Sequence, residues 1–283
     1  MQNSSKKTLT TLALLAAYST AHAWQVDGFE QPESAVLDAR HQRIIVSNIN
    51  GHPAEADGNG YLSVLSFDGK LLDRHWVEGL DAPKGLAIHG DELLVSDLTK
   101  VHRVDLSSGQ LLQTVEVDGA QFLNDISSDG EQAYISDMVG HVIYRYANNT
   151  VEPWLSSPKL PHPNGLLIDG DNLLVATWGA EMQPDFSTKT DGGLFAVDRE
   201  SQLVSAFEST QALGNLDGIV ARPDGYWVND WITGELWTLD SHFEVIAVEH
   251  TRTGLADIGG GQGVLLMPYM QDGILEVRGL GKL

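Results

Sequence analysis

The chain has 283 residues, with 39 acidic and 17 basic side chains, a formal net charge of −22, and no cysteine. Negative charge on this scale repels phosphate backbones and anionic lipid surfaces, which argues against a nucleic-acid or membrane-surface partner. Without cysteine there is no disulfide, thiolate metal site or Cys nucleophile, so stability must rest on an apolar core, and 42% hydrophobic residues over this length suffice for one.

The chain opens with Lys6 and Lys7, an apolar run over residues 9–18, and Ala21-His22-Ala23. The run is much shorter than the ~20 residues that span a bilayer, so residues 1–23 read as a secretory signal peptide cleaved near Ala23. The expected mature protein is then a single domain over residues 24–283, periplasmic or secreted and monomeric. No later stretch is apolar for long enough to form a membrane span.

From there on, short runs rich in Val, Ile, Tyr and Trp alternate with DG, GD, SSG and PDG turns: RIIVSN, YLSVLSF, ELLVSD, QAYISD, HVIYRY, NLLVATW, GLFAVD, GYWVND, GELWTLD and GVLLMPY. None has helical periodicity, so the chain reads as all-β. One phrase recurs six times, a polar residue heading an apolar strand: Glu33 in PESAVLD, Lys84 in PKGLAIH, Asn124 in FLNDISS, Asn164 in PNGLLID, Asp217 in LDGIVAR and Asp257 in LADIGGG. A repeat of about 40 residues holding four strands predicts a six-bladed β-propeller of four-stranded antiparallel blades.

In each blade the polar head begins the innermost strand, and the next strand ends at Asn48, Asp97, Asp137, Thr177, Asp230 or Pro268. Meander strands alternate in direction, so all six heads and all six ends are expected around one central mouth. Insertions at 49–60 in blade one and 178–192 in blade four should rise beside it. Blade six runs short of sequence, and residues 24–29 precede the first head. This segment is expected to supply the missing outer strand and close the ring, which removes exposed sheet edges.

Among the heads, Glu33 and Asp217 bring carboxylates, and Asn124 and Asn164 bring neutral amide oxygens. Four hard oxygen donors without His or Cys suit calcium, with magnesium, manganese and zinc as alternatives. The residues after the strand ends, Met138, Trp178, Trp231 and Tyr269, would form an apolar wall above polar groups, the usual build of a small-molecule site. His52 and His162 fall beside the same face.

PESAVLD, FLNDISSDG, HPNGLLIDG and LDGIVARPDGYWV resemble the blade starts of the SMP-30/gluconolactonase/LRE-like superfamily, and more distantly those of the paraoxonases and diisopropylfluorophosphatase. The resemblance implies an axial calcium or other divalent ion held by Glu33, Asn164 and Asp217. Asn124 would be a further ligand or a substrate contact. It also implies hydrolysis of a lactone or ester, with Asp217 as the base that activates water and Asp125 and Asp257 as further candidates. Three positions depart from the pattern. Phe122 stands where sugar lactonases often have Arg, Lys84 where paraoxonases have His, and Asp257 where the phosphatase has His.

The expected activity is therefore metal-dependent hydrolysis of a small lactone or ester. The ion polarises the carbonyl, Asp217, Asn124 and Lys84 act at the reacting group, and Phe122, Met138, Trp178, Trp231, Tyr269 and Asp257 contact substrate. Lys84 would stabilise negative charge or pair with Asp257. The alternative is a non-catalytic propeller whose mouth binds a protein, peptide or small ligand. A quinone-bearing redox propeller is disfavoured, because Lys84 is the only cation among the heads.

Overall fold

A computed structural model describes residues 23–279; the segment read as a leader lies, up to residue 22, outside the described residues. The first strand, β1 (Trp24–Asp27), precedes blade one, which is β2 (Pro32–Asp38), β3 (Arg43–Asn48), β4 (Gly60–Ser66) and β5 (Leu71–Leu80). Blade two is β6 (Pro83–His89), β7 (Glu92–Asp97), β8 (Lys100–Asp105) and β9 (Leu111–Glu116). Blade three is β10 (Leu123–Ser128), β11 (Ala133–Asp137), β12 (Val142–Ala147) and β13 (Thr150–Leu155). Blade four begins with β14 (Pro163–Asp169) and β15 (Asn172–Thr177), is interrupted by the hairpin β16 (Gly179–Ala180) and β17 (Thr190–Asp191), and resumes with β18 (Leu194–Asp198) and β19 (Val204–Ala206). Blade five is β20 (Leu216–Arg222), β21 (Gly225–Asp230), β22 (Glu235–Asp240) and β23 (Val245–His250). Blade six carries β24 (Gly259–Gly261), β25 (Val264–Tyr269) and β26 (Ile274–Arg278), and β1 completes it by pairing antiparallel with β26.

This is the expected six-bladed, four-stranded, all-β architecture, with the N-terminal strand closing the ring. The innermost strands lie side by side around the axis, and β24 returns against β2. They approach so closely that a Cβ on Gly165 would sit 2.0 Å from the Asp217 carbonyl oxygen. Side chains at alternate strand positions fill the slabs between adjacent blades, as with Ile45 and Leu62 against Leu86 and Val95, or Leu174 and Leu194 against Ile219 and Val228. Among the described residues no helix is long and apolar enough to cross a membrane.

Blade six departs from the expected register by one residue. Leu255 bridges Tyr269 as Leu216 pairs with Asp230, so the head equivalent to Asp217 is Ala256, and the inner-face strand ends at Tyr269 instead of Pro268. Every other head follows a Pro or a Leu, and Leu255-Ala256 keeps that rule. Asp257, the acidic residue one place later, therefore follows the head instead of occupying it.

Closure by β1 makes a testable contribution. Trp24 and Val26 pack on the cluster formed by Ala35, Ile44, Val46, Leu266, Leu275 and Val277, and the Trp24 ring lies against Gly69. Removing residues 24–28 deletes these contacts and exposes the β26 edge. Thermal or denaturant unfolding should show a loss of about 2–4 kcal/mol or a gain in self-association; an unchanged midpoint in a monomeric variant would contradict this role.

Candidate functional site

Five heads occupy the second position of an innermost strand: Glu33 on β2, Lys84 on β6, Asn124 on β10, Asn164 on β14 and Asp217 on β20. In each blade the ladder slips there, between Pro32 and Ala35, Pro83 and Leu86, Leu123 and Ile126, Pro163 and Leu166, and Leu216 and Ile219. Such a bulge re-aims the side chain out of the ordinary alternation, and it repeats where the strands meet the axis.

Three strand-end acids brace this geometry. Asp97 accepts the Ala82 and Asp81 amides at 2.6 and 2.7 Å, Asp137 accepts those of Phe122 and Gln121 at 2.9 and 2.8 Å, and Asp230 accepts that of Asn215 at 2.9 Å. Each fixes the turn two residues before a head. The repeated VSD, ISD and VND endings carried this signal in the sequence.

Glu33, Lys84, Asn124 and Asp217 share a cavity of about 150 Å³ with Ile49, Pro53, Phe122, Met138, Trp178, Asp185, Phe186, Trp231 and Met270. Three of the four expected wall residues, Met138, Trp178 and Trp231, and the expected substrate contact Phe122 are thus brought together. Ile49, Pro53, Phe186 and Met270 join them, drawn from the two insertions and from blade six. Tyr269 and Asp257 do not line this cavity. The one-residue register difference buries Tyr269 between blades five and six and places Met270 at the mouth in its stead. Asp257 takes the position after the head and faces the far end of the axis, where it lines a second cavity of about 310 Å³ with Asp125 and Ser34. There it accepts a 2.7 Å hydrogen bond from the Ser34 hydroxyl.

Lys84 forms no ion pair with Asp257. Its Nζ donates to the carbonyls of Ala82 and Pro53, both at 2.9 Å, and lies 4.4 Å from the Phe122 ring centroid. His162, buried beside Asn164, has Nδ1 2.8 Å from the Met138 carbonyl, and His52 is exposed in the blade-one insertion. Neither lines the cavity.

Two buried oxygens among the heads are orphaned, one on Glu33, which lines the cavity, and one on Asn164, which does not line it but is hydrogen-bonded to Asp217. Asn164 spends its amide nitrogen on Asp217 Oδ1 at 2.7 Å and on the Leu216 carbonyl at 3.1 Å, which leaves its buried Oδ1 without a hydrogen bond. Glu33 Oε2 is likewise buried and unpartnered. Buried polar atoms in native folds nearly always have a partner, so a bare oxygen on Glu33, which shares the cavity with Asp217, and another on Asn164, which is hydrogen-bonded to Asp217, fit a hard cation. Among the described residues no three His, Cys, Asp or Glu side chains are grouped to hold a metal; the candidate set depends on its two amide oxygens. Those donors match calcium chemistry better than zinc.

Burial dominates the electrostatics. It raises Glu33 well above the usual carboxyl range, with the Asp217 charge adding to the effect and Lys84 opposing it. Burial pushes Asp217 up to about 7 and Asp125 up to about 6, and raises Asp257 well above its ordinary value. It also lowers Lys84 to about 8, against the pull of Glu33. A carboxyl raised on folding binds more protons folded than unfolded, so stability falls as pH climbs from the unfolded range near 4 through the raised values. The Lys84 shift acts in the opposite sense and only above about pH 8. Chelator-treated protein should therefore lose stability between pH 5 and pH 8, less so in Asp217→Asn, and calcium should restore more at pH 8 than at pH 5. A flat profile in denaturant melts would contradict this electrostatic picture.

No protein-family model matches the chain, and no curated protein matches it. Solved structures do. A gluconolactonase from Xanthomonas campestris, XC5397, is similar over 95% of this chain and 93% of its own, with 16% identity and a TM-score of 0.64. Virginiamycin B lyase from Staphylococcus aureus matches 91% of this chain and 99% of its own at 11% identity and a TM-score of 0.60. A chain of a nidogen/laminin complex matches 81% of this chain and 84% of its own at 15% identity and a TM-score of 0.64. At these identities the likeness shows a shared propeller fold.

Proposed function

We propose that the chain is an exported, divalent-cation-dependent hydrolase of a small lactone or ester, acting at the axial mouth. The observation that carries this reading is the pair of orphaned buried oxygens next to Asp217: Glu33 Oε2, on a residue that lines the apolar cavity with Asp217, and Asn164 Oδ1, on a residue hydrogen-bonded to Asp217. Glu33, Asn124, Asn164 and Asp217 would hold the cation, and calcium best suits such a donor set. When bound, it supplies Lewis acidity towards a substrate carbonyl. The fold-level similarity to a gluconolactonase agrees with this chemistry.

The chain's own groups account for the remainder. Asn164 fixes Asp217 through its Oδ1, which leaves Oδ2 to take a proton from the attacking water. With the cation keeping it ionised, the Asp217 carboxylate would accept that proton and return it to the leaving alkoxide. As water adds to the carbonyl carbon, the acyl C–O bond breaks and a carboxylic acid and an alcohol result, joined in one molecule when the substrate is a lactone. Phe122, Met138, Trp178, Trp231 and Met270 shield the reacting group from bulk water and favour substrates with an apolar portion. Lys84 spends two of its three donors on backbone carbonyls.

A panel of uncharged lactones and aryl or alkyl esters, assayed with and without calcium, tests the proposal. Turnover should require the cation. Asp217→Asn and Asn164→Ala should each lower it by about 10²–10⁴-fold while the circular dichroism of the fold is retained. Turnover that is unaffected by both substitutions, or no turnover of any member with the cation bound, would contradict the proposal and favour a binding scaffold.

A further inference from the structure

The two insertions that wall the mouth are fastened very differently. The blade-four insertion is cross-linked: β16 pairs with β17, Trp178 Nε1 donates to the Phe186 carbonyl at 2.8 Å, and Asn215 Nδ2 donates to the Trp178 carbonyl and to Thr188 Oγ1 at 2.7 and 2.9 Å. The tip of the blade-one insertion, residues 52–57, is mostly exposed, and its other hydrogen bonds are internal to the insertion, such as Glu55 N to the His52 carbonyl. Among the described residues, one hydrogen bond joins this tip to the rest of the propeller, from Lys84 Nζ to the Pro53 carbonyl. Left-handed residues flank the tip, Asn50 at φ 52° and Gly58 at φ 71°. The flanks themselves are tied down, Gly51 N to Gln31 Oε1 at 2.6 Å and Gly58 N to Asp81 Oδ1 at 3.2 Å, so any movement of the tip is a short swing between two anchored ends.

We infer that Lys84 is a positioning residue, a latch that holds the 52–57 tip over the mouth and so limits the size of substrate the cavity admits. The ammonium has three donors. Two bind carbonyls, that of Ala82 on its own strand approach and that of Pro53 on the insertion, and the ammonium rests against the Phe122 ring. Lys84 is 2% exposed and makes no ion pair among the described residues, so pairing with Asp257 is not among its contacts. Pro53, Lys84 and Phe122 all line the cavity of about 150 Å³. Releasing the Pro53 carbonyl removes one wall and opens the mouth towards blade one, while the cross-linked blade-four wall stays in place.

The consequence for substrate size rests on the hydrolase reading; the latch itself does not. Limited digestion with a Glu-specific protease separates the two. Glu55 lies in the tip and Glu181 in the cross-linked wall, so the ratio of the two cuts, read by mass spectrometry, is an internal standard. Lys84→Met, which keeps the buried stem but loses the donors, should raise cutting after Glu55 about tenfold relative to Glu181. Lys84→Gln, too short to span both carbonyls, provides the same reading if the Met variant does not fold. A ratio within twofold of the wild type in a folded variant overturns the latch. If the panel identifies a substrate, the variants should gain kcat/KM on bulkier esters relative to the smallest one through a lowered KM. Absence of any turnover would remove the hydrolase reading and leave the protease result standing.

Discussion

Desolvated like charge on the propeller axis is the constraint around which the site is organised. Glu33, Asp125, Asp217 and Asp257 are all buried there, with Lys84 the sole cation beside them among the described residues. Carboxylates removed from water and set beside one another must be protonated or neutralised by a cation, because the Coulombic and solvation costs otherwise add. The fold creates this problem deliberately in geometric terms: five inner strands bulge at the same position, each directing one side chain to the same place. Asp97, Asp137 and Asp230 fix the turns that lead into the bulges, so the disposition of the floor follows from backbone hydrogen bonding more than from contact between the heads themselves.

The axis is stratified. The heads form one tier below the apolar mouth, and the residues that follow them form another that opens to the far side, with Asp125 and Asp257 facing a separate cavity. Asp125 is held there by 2.6 Å hydrogen bonds from the Ile126 and Leu166 amides. This division sets Asp125 and Asp257 on a cavity apart from the apolar mouth and leaves Asp217 as the acid that both lines that mouth and accepts a hydrogen bond from Asn164. Small side chains make the tiers this compact, since Gly165 and its counterparts let neighbouring strands touch through their backbones.

Much of this was legible in the sequence for identifiable reasons. Repeat spacing, turn residues and period-two strands specify the blade count, and the short final repeat specifies closure by the N-terminal strand, because both are properties of local pattern. Heads preceded by Pro or Leu are equally local, and Leu255-Ala256 would have placed blade six correctly had the apolar neighbour been weighted above the acidic one. The same shift explains why Met270 was overlooked in favour of Tyr269. Lys84 was harder: its partners are backbone carbonyls, one of them on an insertion 31 residues away, and carbonyls leave no trace in residue identity. Pro53 and Phe186 reach the mouth through the shapes of the two insertions, which no repeat pattern encodes.

Uptake of a divalent cation by the buried carboxyl and amide oxygens of the heads would resolve the like-charge cost on the axis. Isothermal titration of calcium into chelator-treated protein, repeated with Glu33→Gln and Asp217→Asn, measures this directly. Saturable binding of one ion per chain that is lost or strongly weakened in both variants is the predicted result. Absence of binding in the wild type, or binding that survives both substitutions, would contradict it and leave the buried carboxyls to be held neutral by protons alone.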